Sequence, residues 1–440
     1  MYDVVGINEP ADPILSGQRN INDSIDESSL PDNRGWFQRT FGQLQKGALR
    51  GAIFSLVSTA IGAGCLTLPL VFKNEGIIMG IFLISLAIAL CYYSLISIAL
   101  AGEKHKVFSY TSLTHKALGR VWGTIVENAM ILYVFGTIIG YQIMVGFFVP
   151  SVLKSVNLEV SGDTNRYIVI VICNVLLMTP LSMFRELTSL RFISLLSAFS
   201  LVFVSLLVMA EFPFFAVENS WSSFDTISIN LKVISSFNLC LFSSTCHTNI
   251  PQIQGELYNT SMRRISKVSL RAMLAIYFPY LALGLFGYLS TLDDTPSLII
   301  MRKKPSNIDN DFMMVIGRAL MAITLIIAVP VNIPPSRNAI MKCWLRYKDD
   351  EKPPLYVHVI VTEGLLLSTL GIALVYPQIL VLFSILGGFL GGILVLLIPA
   401  LLRVDACEYT GWKKYLLIGA FGSLFVTGTT GAILSVLGYD

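Results

Sequence analysis

Eleven apolar stretches follow one another along the 440 residues: 47–72, 76–101, 121–150, 167–184, 192–215, 231–251, 268–290, 312–334, 357–375, 379–402 and 415–437. Each is close to the ~20 residues that a helix needs to cross a hydrocarbon core. We number them spans one to eleven. The third is long enough to be tilted. Only Tyr376-Pro377-Gln378 separates the ninth from the tenth, so ten spans is the rival count. Ahead of them, residues 1–45 hold Pro10, Pro13, Gly17 and a run of Asn, Asp and Ser, without the charged start and apolar run of a cleavable signal peptide. That segment reads as a disordered cytosolic tail, merely solvated or used for sorting, and 46–440 as one transmembrane domain.

Composition agrees with the pattern. Hydrophobic residues make up 54% of the chain, charged residues 13%, and mean hydropathy is +0.69. Soluble domains run nearer about 45–50% and 25%. The chain is therefore expected to be an all-α polytopic protein of the lipid bilayer. Lys and Arg placement sets its orientation. With a cytosolic N-terminus, the inner segments carry 23 of the 31 basic residues and the outer segments seven, while Arg318 lies within span eight. Eleven spans then put the C-terminus outside. Plasma membrane and vacuolar or lysosomal membrane both remain open.

The net charge of +3 gives no footprint for nucleic acid. Seven irregularly spaced cysteines and four histidines support neither a metal centre nor another cofactor. No GxxxxGK[ST], HExxH or GxSxG motif occurs, so no phosphate cradle, zinc helix or nucleophile elbow is visible and no catalytic residue is assigned. A secondary transporter, a membrane sensor and a channel survive. Eleven spans fit poorly with the short oligomerising pore unit of a channel.

Two spans are interrupted in ways a plain spanning helix avoids. Span one reads Ser58-Thr59-Ala60-Ile61-Gly62-Ala63-Gly64-Cys65-Leu66-Thr67-Leu68-Pro69. Its glycines permit non-helical backbone and Pro69 lacks an amide donor. Unwound backbone is tolerated at membrane depth only where it lines a cavity or is buried in protein. Freed amides there suit a carboxylate; close helix packing by small residues is the alternative. Span six reads Phe242-Ser243-Ser244-Thr245-Cys246-His247-Thr248-Asn249-Ile250-Pro251-Gln252, with six polar or ionisable residues between Ser243 and Asn249. Such a run is costly in lipid unless it faces a cavity. Spans one and six occupy corresponding places in two five-helix halves, and paired breaks of this kind point to a transporter's binding site. Among other ionisable residues, Glu211 and Arg318 are placed to snorkel to water. Glu127 and Glu363 suit either interhelical hydrogen bonds or proton handling.

These residues resemble the amino acid/auxin permease family, whose members include proton- and sodium-coupled neutral amino acid transporters. Four places carry the resemblance: Ile61 to Pro69, similar to an IGxGxLxLP segment; Phe242 to Leu257 (FSSTCHTNIPQIQGEL), followed by Arg263 and Arg264; Arg318 to Arg337 (RALMAITLIIAVPVNIPPSR); and Ile398 to Arg403 (IPALLR). It covers nearly everything from Gln45 onward. It implies a leucine-transporter-like five-plus-five inverted repeat with an extra eleventh helix. It also implies secondary active transport of small neutral amino acids by alternating access. The substrate carboxylate would meet amides around Gly62, Ala63 and Gly64, and its ammonium would meet oxygens near Phe242, Ser243 and Thr245. Thr59, Thr67 and Asn249 are further lining candidates. Thr248 departs from the family, which commonly has proline there.

The coupling ion follows from a second departure. Sodium-coupled members resembling this chain place an asparagine in span one and a threonine in span eight. Here Ser58, and Ile326 with Ala328, fall at those positions. Isoleucine and alanine offer no side-chain oxygen to a hard cation, although Thr324 lies one turn from Ala328. A proton is therefore expected in place of sodium, with His247 as its carrier and Glu256 as the second choice. The alternatives are a sodium-independent facilitator, an auxin-like organic-acid permease, and a sensor that binds an amino acid and signals through the tail.

Overall fold

A computed structural model describes residues 49–156, 163–183, 190–218, 224–228, 230–258, 260–304, 311–343 and 354–438. The expected tail, 1–45, lies outside them, and all contacts below belong to the unit Lys46–Asp440. Among the described residues every regular element is helical. That follows from the solvent: lipid offers backbone groups no partners, and a helix satisfies its own.

Among the described residues, eight helices are long and apolar enough to cross a bilayer. One of them, Gly64–His105, has 42 residues and would be ~63 Å long if straight, about twice the hydrocarbon core. Gly76, at φ 80° and ψ 174°, turns the chain there. The segment therefore ends span one and supplies the whole of span two. Leu49–Ala60 starts span one, Arg166–Ser182 is span four, and Lys232–Ser243 with Ile250–Glu256 make span six. The total is eleven. Leu355–Val375 and Ile379–Ile385 are separate helices, so Tyr376-Pro377-Gln378 is a true break and the ten-span count falls.

The two halves correspond. Helix Leu68–His105 packs most extensively on span seven, Met262–Thr291, and span three, Arg120–Ser155, on span eight, Phe312–Cys343. Two with seven and three with eight are the pairs that a five-plus-five repeat makes equivalent. At the Gly76 corner, the amides of Ile77 and Ile78 donate to Asp225 and Thr226, and Ser228 donates back to Glu75. A Cβ on Gly76 would lie 2.8 Å from the Thr226 carbonyl carbon. On the other face, where Leu49 begins, His105 Nε2 lies 2.6 Å from an Asp405 oxygen and Lys104 pairs with Glu408 at 3.2 Å. A short helix, Tyr110–Leu118, runs between spans two and three on that face. It is too short and polar for a span.

Two features differ from expectation. Glu211 and Arg318 do not snorkel. Glu211 is buried against the guanidinium of buried Arg302, which also donates to Ser290 and stacks over Phe215. Arg318 donates to the Ile300 carbonyl at 2.8 Å and to Ser151 at 3.0 Å. The chain supplies partners nearer than water. Span ten, besides, is no plain α-helix: Leu386–Leu397 forms wide π turns between α-helical ends. Tyr110 and Ser94 donate to the carbonyls of Leu394 and Val395 in that stretch.

The π stretch lies against spans six and eleven with almost no clearance. A Cβ on Gly387 would fall 2.0 Å from the Asn238 carbonyl oxygen, and one on Gly388 2.2 Å from that of Gly428. Gly387→Ala is expected to lower the thermal midpoint of the purified protein, at an overpacking cost of about 1–3 kcal/mol. Gly364→Ala, where a Cβ meets nothing within 4 Å, should leave it unchanged or slightly raised. Equal midpoints would refute the packing.

Candidate functional site at the two helix breaks

The first half-helix of span one stops at Ala60, and Gly62 is extended at φ −134° and ψ −161°. A 3-10 turn covers Ala63–Thr67, and the α-helix resumes at Leu68 with Pro69 in its first turn. Proline fits there because a first-turn amide has no intrahelical acceptor to lose. In a turn bonded i to i+3, the amides of Ala63 and Gly64 likewise have no acceptor inside it. Thr67 is fully buried and donates to the Gly64 carbonyl at 2.7 Å. Its hydroxyl therefore holds the turn's shape.

Span six breaks in the same manner. Helix Lys232–Ser243 ends, Thr245 and Cys246 are non-helical, a 3-10 turn covers His247–Asn249, and Ile250–Glu256 resumes with Pro251 in its first turn. The hydroxyls of Ser243, Ser244 and Thr245 donate to the carbonyls of Leu239, Cys240 and Leu241 at 2.8–2.9 Å. With their protons committed, these oxygens present only lone pairs to anything else.

The two breaks touch. A Cβ on Gly64 would lie 2.7 Å from Ser243 Oγ and 2.8 Å from a Phe242 ring carbon. Phe242 stacks on Phe383 of span ten at 4.4 Å between centroids and has Tyr133 of span three 6.0 Å away. The hydroxyl of Tyr141, also of span three, lies 3.1 Å from where a Cβ on Gly62 would stand. Among the described residues it has no hydrogen-bond partner. Tyr280 of span seven donates to the carbonyls of both Ala60, at 3.0 Å, and Ser243, at 2.8 Å.

The remaining expected residues lie farther out. Asn249 Nδ2 donates to Thr59 Oγ1 at 2.7 Å, and Thr59 to the Ser55 carbonyl at 2.8 Å. That pair clamps spans one and six together beside the breaks. His247 is fully buried, and its ring faces the Cys91 backbone of span two without a hydrogen bond of normal geometry. Glu256 is exposed at the end of its helix and accepts from Gln252. Glu127 takes the interhelical option, 3.0 Å from His115 Nε2, and Glu363 is half-buried on span nine. In span eight, Thr324 already binds the Leu320 carbonyl and Ser200, while Ile326 and Ala328 pack on the core. Ser58 is bonded to the Ser55 carbonyl.

Sequence reading missed Tyr133, Tyr141 and Tyr280. The available signal was a tyrosine deep in an apolar span, where its hydroxyl needs a partner. It also missed Glu75, fully buried at the end of span one. There Ser236 donates to one carboxylate oxygen at 3.0 Å, close to a cavity of about 20 Å³ lined by Asn74, Lys232 and Ser236.

With this geometry in hand, the family model described as "Transmembrane amino acid transporter protein" matches residues 45–437. The chain belongs to that family. Relatives of this transmembrane amino acid transporter family member include the Xenopus laevis "Sodium-coupled neutral amino acid transporter 7", 25% identical, with 86% of each chain covered. The Saccharomyces cerevisiae "Vacuolar amino acid transporter 2" is 24% identical over 81% of this chain and 76% of its own. Three relatives from Plasmodium and Toxoplasma are 24–25% identical, and the chain spans only 42–52% of their length. In fold it resembles the crystal structure of MhsT in complex with L-phenylalanine, with TM-score 0.57 and 10% identity over 88% of this chain and all of that one. It also resembles the inward-facing conformation of Mhp1, with TM-score 0.52 and 14% identity over 88% and 90%. The fold is thus the leucine-transporter type, an inverted repeat in a multi-pass membrane protein.

The Thr59–Asn249 clamp yields a stability prediction. In a double-mutant cycle on the purified protein, Thr59→Ala and Asn249→Ala are expected to couple by about 0.5–3 kcal/mol. Strict additivity of the two losses would mean the contact holds nothing.

Proposed function

We propose that this chain is a secondary active transporter of small neutral amino acids, driven by protons and working by alternating access. The observation that carries the reading is the polarity of the joined breaks. Amides of Ala63 and Gly64 and the Tyr141 hydroxyl, which has no partner among the described residues, offer donors on one side, as a carboxylate requires. Ser243, Ser244 and Thr245 offer acceptor lone pairs on the other, as an ammonium requires. The side chains gathered there, Tyr133, Tyr141, Phe242 and Phe383, carry no charge, which suits a neutral substrate. Two relatives are named for amino acid transport, and MhsT was crystallised with L-phenylalanine. The basic residues favour a cytosolic N-terminus, with the tail 1–45 as a separate segment ahead of the transmembrane domain.

Proton drive is the finer part of the proposal. In span eight Ile326 and Ala328 bring no side-chain oxygen to a sodium ion, and Thr324 is engaged with Ser200. His247 adjoins the span-six break and has no normal hydrogen bond, so it is the carrier we propose, with Glu256 as an outlying gate.

The test is reconstitution into liposomes with labelled amino acids under imposed proton or sodium gradients. Uptake of small neutral amino acids should accelerate with an inward proton gradient and ignore sodium. Gly64→Val places methyl groups where Phe242 and Ser243 already stand, and should abolish uptake while the protein still reaches the membrane. Normal kinetics in that variant would return the glycine to a role without contact to substrate. His247→Gln retains hydrogen-bonding capacity but cannot titrate, and should erase the proton stimulation. Wild-type stimulation in that variant would send the search for the carrier elsewhere.

A further inference from the structure

Ala60 and Ser243 are the last residues of the two half-helices that enter the breaks, Leu49–Ala60 and Lys232–Ser243. A helix C-terminus carries unsatisfied carbonyls and the equivalent of about half a negative charge. Two such ends brought together repel, and in broken-helix transporters convergent carbonyls of this kind hold the coupling cation. Here one phenol lies between them. Tyr280 is fully buried, and its hydroxyl is 3.0 Å from the Ala60 carbonyl oxygen and 2.8 Å from that of Ser243. A single O–H proton shared between two acceptors is a three-centre bond.

We propose that the Tyr280 hydroxyl takes the place of a cation between the two half-helix ends, as a tethered donor that never leaves. The inference rests on reading the breaks as the substrate site and concerns what holds them together. A neutral donor fixed to span seven joins the broken helices in every state of the cycle. A bound ion would join them only while bound. Tyr280 is therefore a positioning residue, and this end of the site needs no sodium. Its ring is buried with the hydroxyl, so the tether is rigid. Removing only the oxygen, in Tyr280→Phe, leaves two buried carbonyls facing each other with room for a small ion or a water beside them.

The test measures thermal stability without substrate, and separately uptake, in sodium, lithium and choline chloride. Wild-type protein should show the same midpoint and the same uptake in all three salts. Tyr280→Phe should have a lower midpoint in choline, recovering by roughly 2–4 °C in sodium or lithium. Its uptake should fall about tenfold in choline and recover in part with the small cations. A wild-type midpoint that rises with sodium overturns the proposal without any variant. So does a Tyr280→Phe protein that matches the wild type in all three salts, or one whose loss no small cation relieves. If no amino acid in the panel is taken up, the transport reading fails while the cation response of the midpoint still judges Tyr280.

Discussion

A polypeptide that interrupts a helix inside a bilayer must find partners for the backbone groups it releases, because lipid supplies none. The structure depends on how this chain meets that constraint twice, in spans one and six. At the first break, Thr67 takes the Gly64 carbonyl and Cys65 Sγ approaches that of Gly62. At the second, three consecutive hydroxyls bind carbonyls one turn back. Between them Tyr280 takes the two carbonyls at the helix ends. The carbonyls around the breaks are therefore held by side chains, while the amides of Ala63 and Gly64 have no acceptor within their turn. The two breaks are thus polarised by the chain's own groups.

On the proposed reading, the same glycines serve packing and binding. The absence of a side chain at Gly64 lets Ser243 and Phe242 come into contact with the span-one break, and its absence at Gly62 lets the Tyr141 hydroxyl approach. Small-residue packing and a substrate site look like competing explanations when only spacing is available. In three dimensions the two are compatible, since close approach also brings donors from spans one and three near acceptors on span six. Gly387 and Gly388 repeat the device behind the site, where the π turns of span ten lie directly on Asn238 and Gly428. Asn238 in turn donates to Ser384 and to the Gly428 carbonyl, which anchors the half-helix that ends at Ser243.

The features legible in the sequence are those with a one-dimensional signature. A hydrocarbon core demands runs of about 20 apolar residues, so the spans show directly, and polar clusters or glycines inside such runs mark the breaks. Thr59, Gly62, Gly64, Phe242, Ser243, Thr245 and Asn249 all belong to the two breaks or the clamp beside them. Partners supplied from elsewhere were not legible. Tyr133, Tyr141 and Tyr280 sit among ordinary apolar neighbours, and only the fold carries them to the breaks. Glu211 and Arg302 lie 91 residues apart in sequence, so nothing local announces their pairing. The π turns of span ten also escape notice, because Leu386–Leu397 is as apolar as any α-helical span and the departure lies in hydrogen-bond pattern alone.

Chemical direction at the site follows from where protons are already committed. Serine and threonine can donate or accept, so a run such as Ser243-Ser244-Thr245 does not by itself favour an acid or an amine. Back-bonding to carbonyls one turn earlier uses the single hydroxyl proton and leaves acceptors only. Tyrosine faces the same choice, and Tyr280 and Tyr141 resolve it differently. The proton of Tyr280 is shared between two carbonyls, whereas the hydroxyl of Tyr141 meets none among the described residues and keeps its proton available at Gly62. The acceptors thus cluster on span six and the free donors on spans one and three. On the proposed reading, a zwitterion would lie between them in one orientation, with its carboxylate toward Gly62 and Gly64 and its ammonium toward Ser243. The reverse orientation would set carboxylate oxygens against three hydroxyl oxygens with no proton left to give.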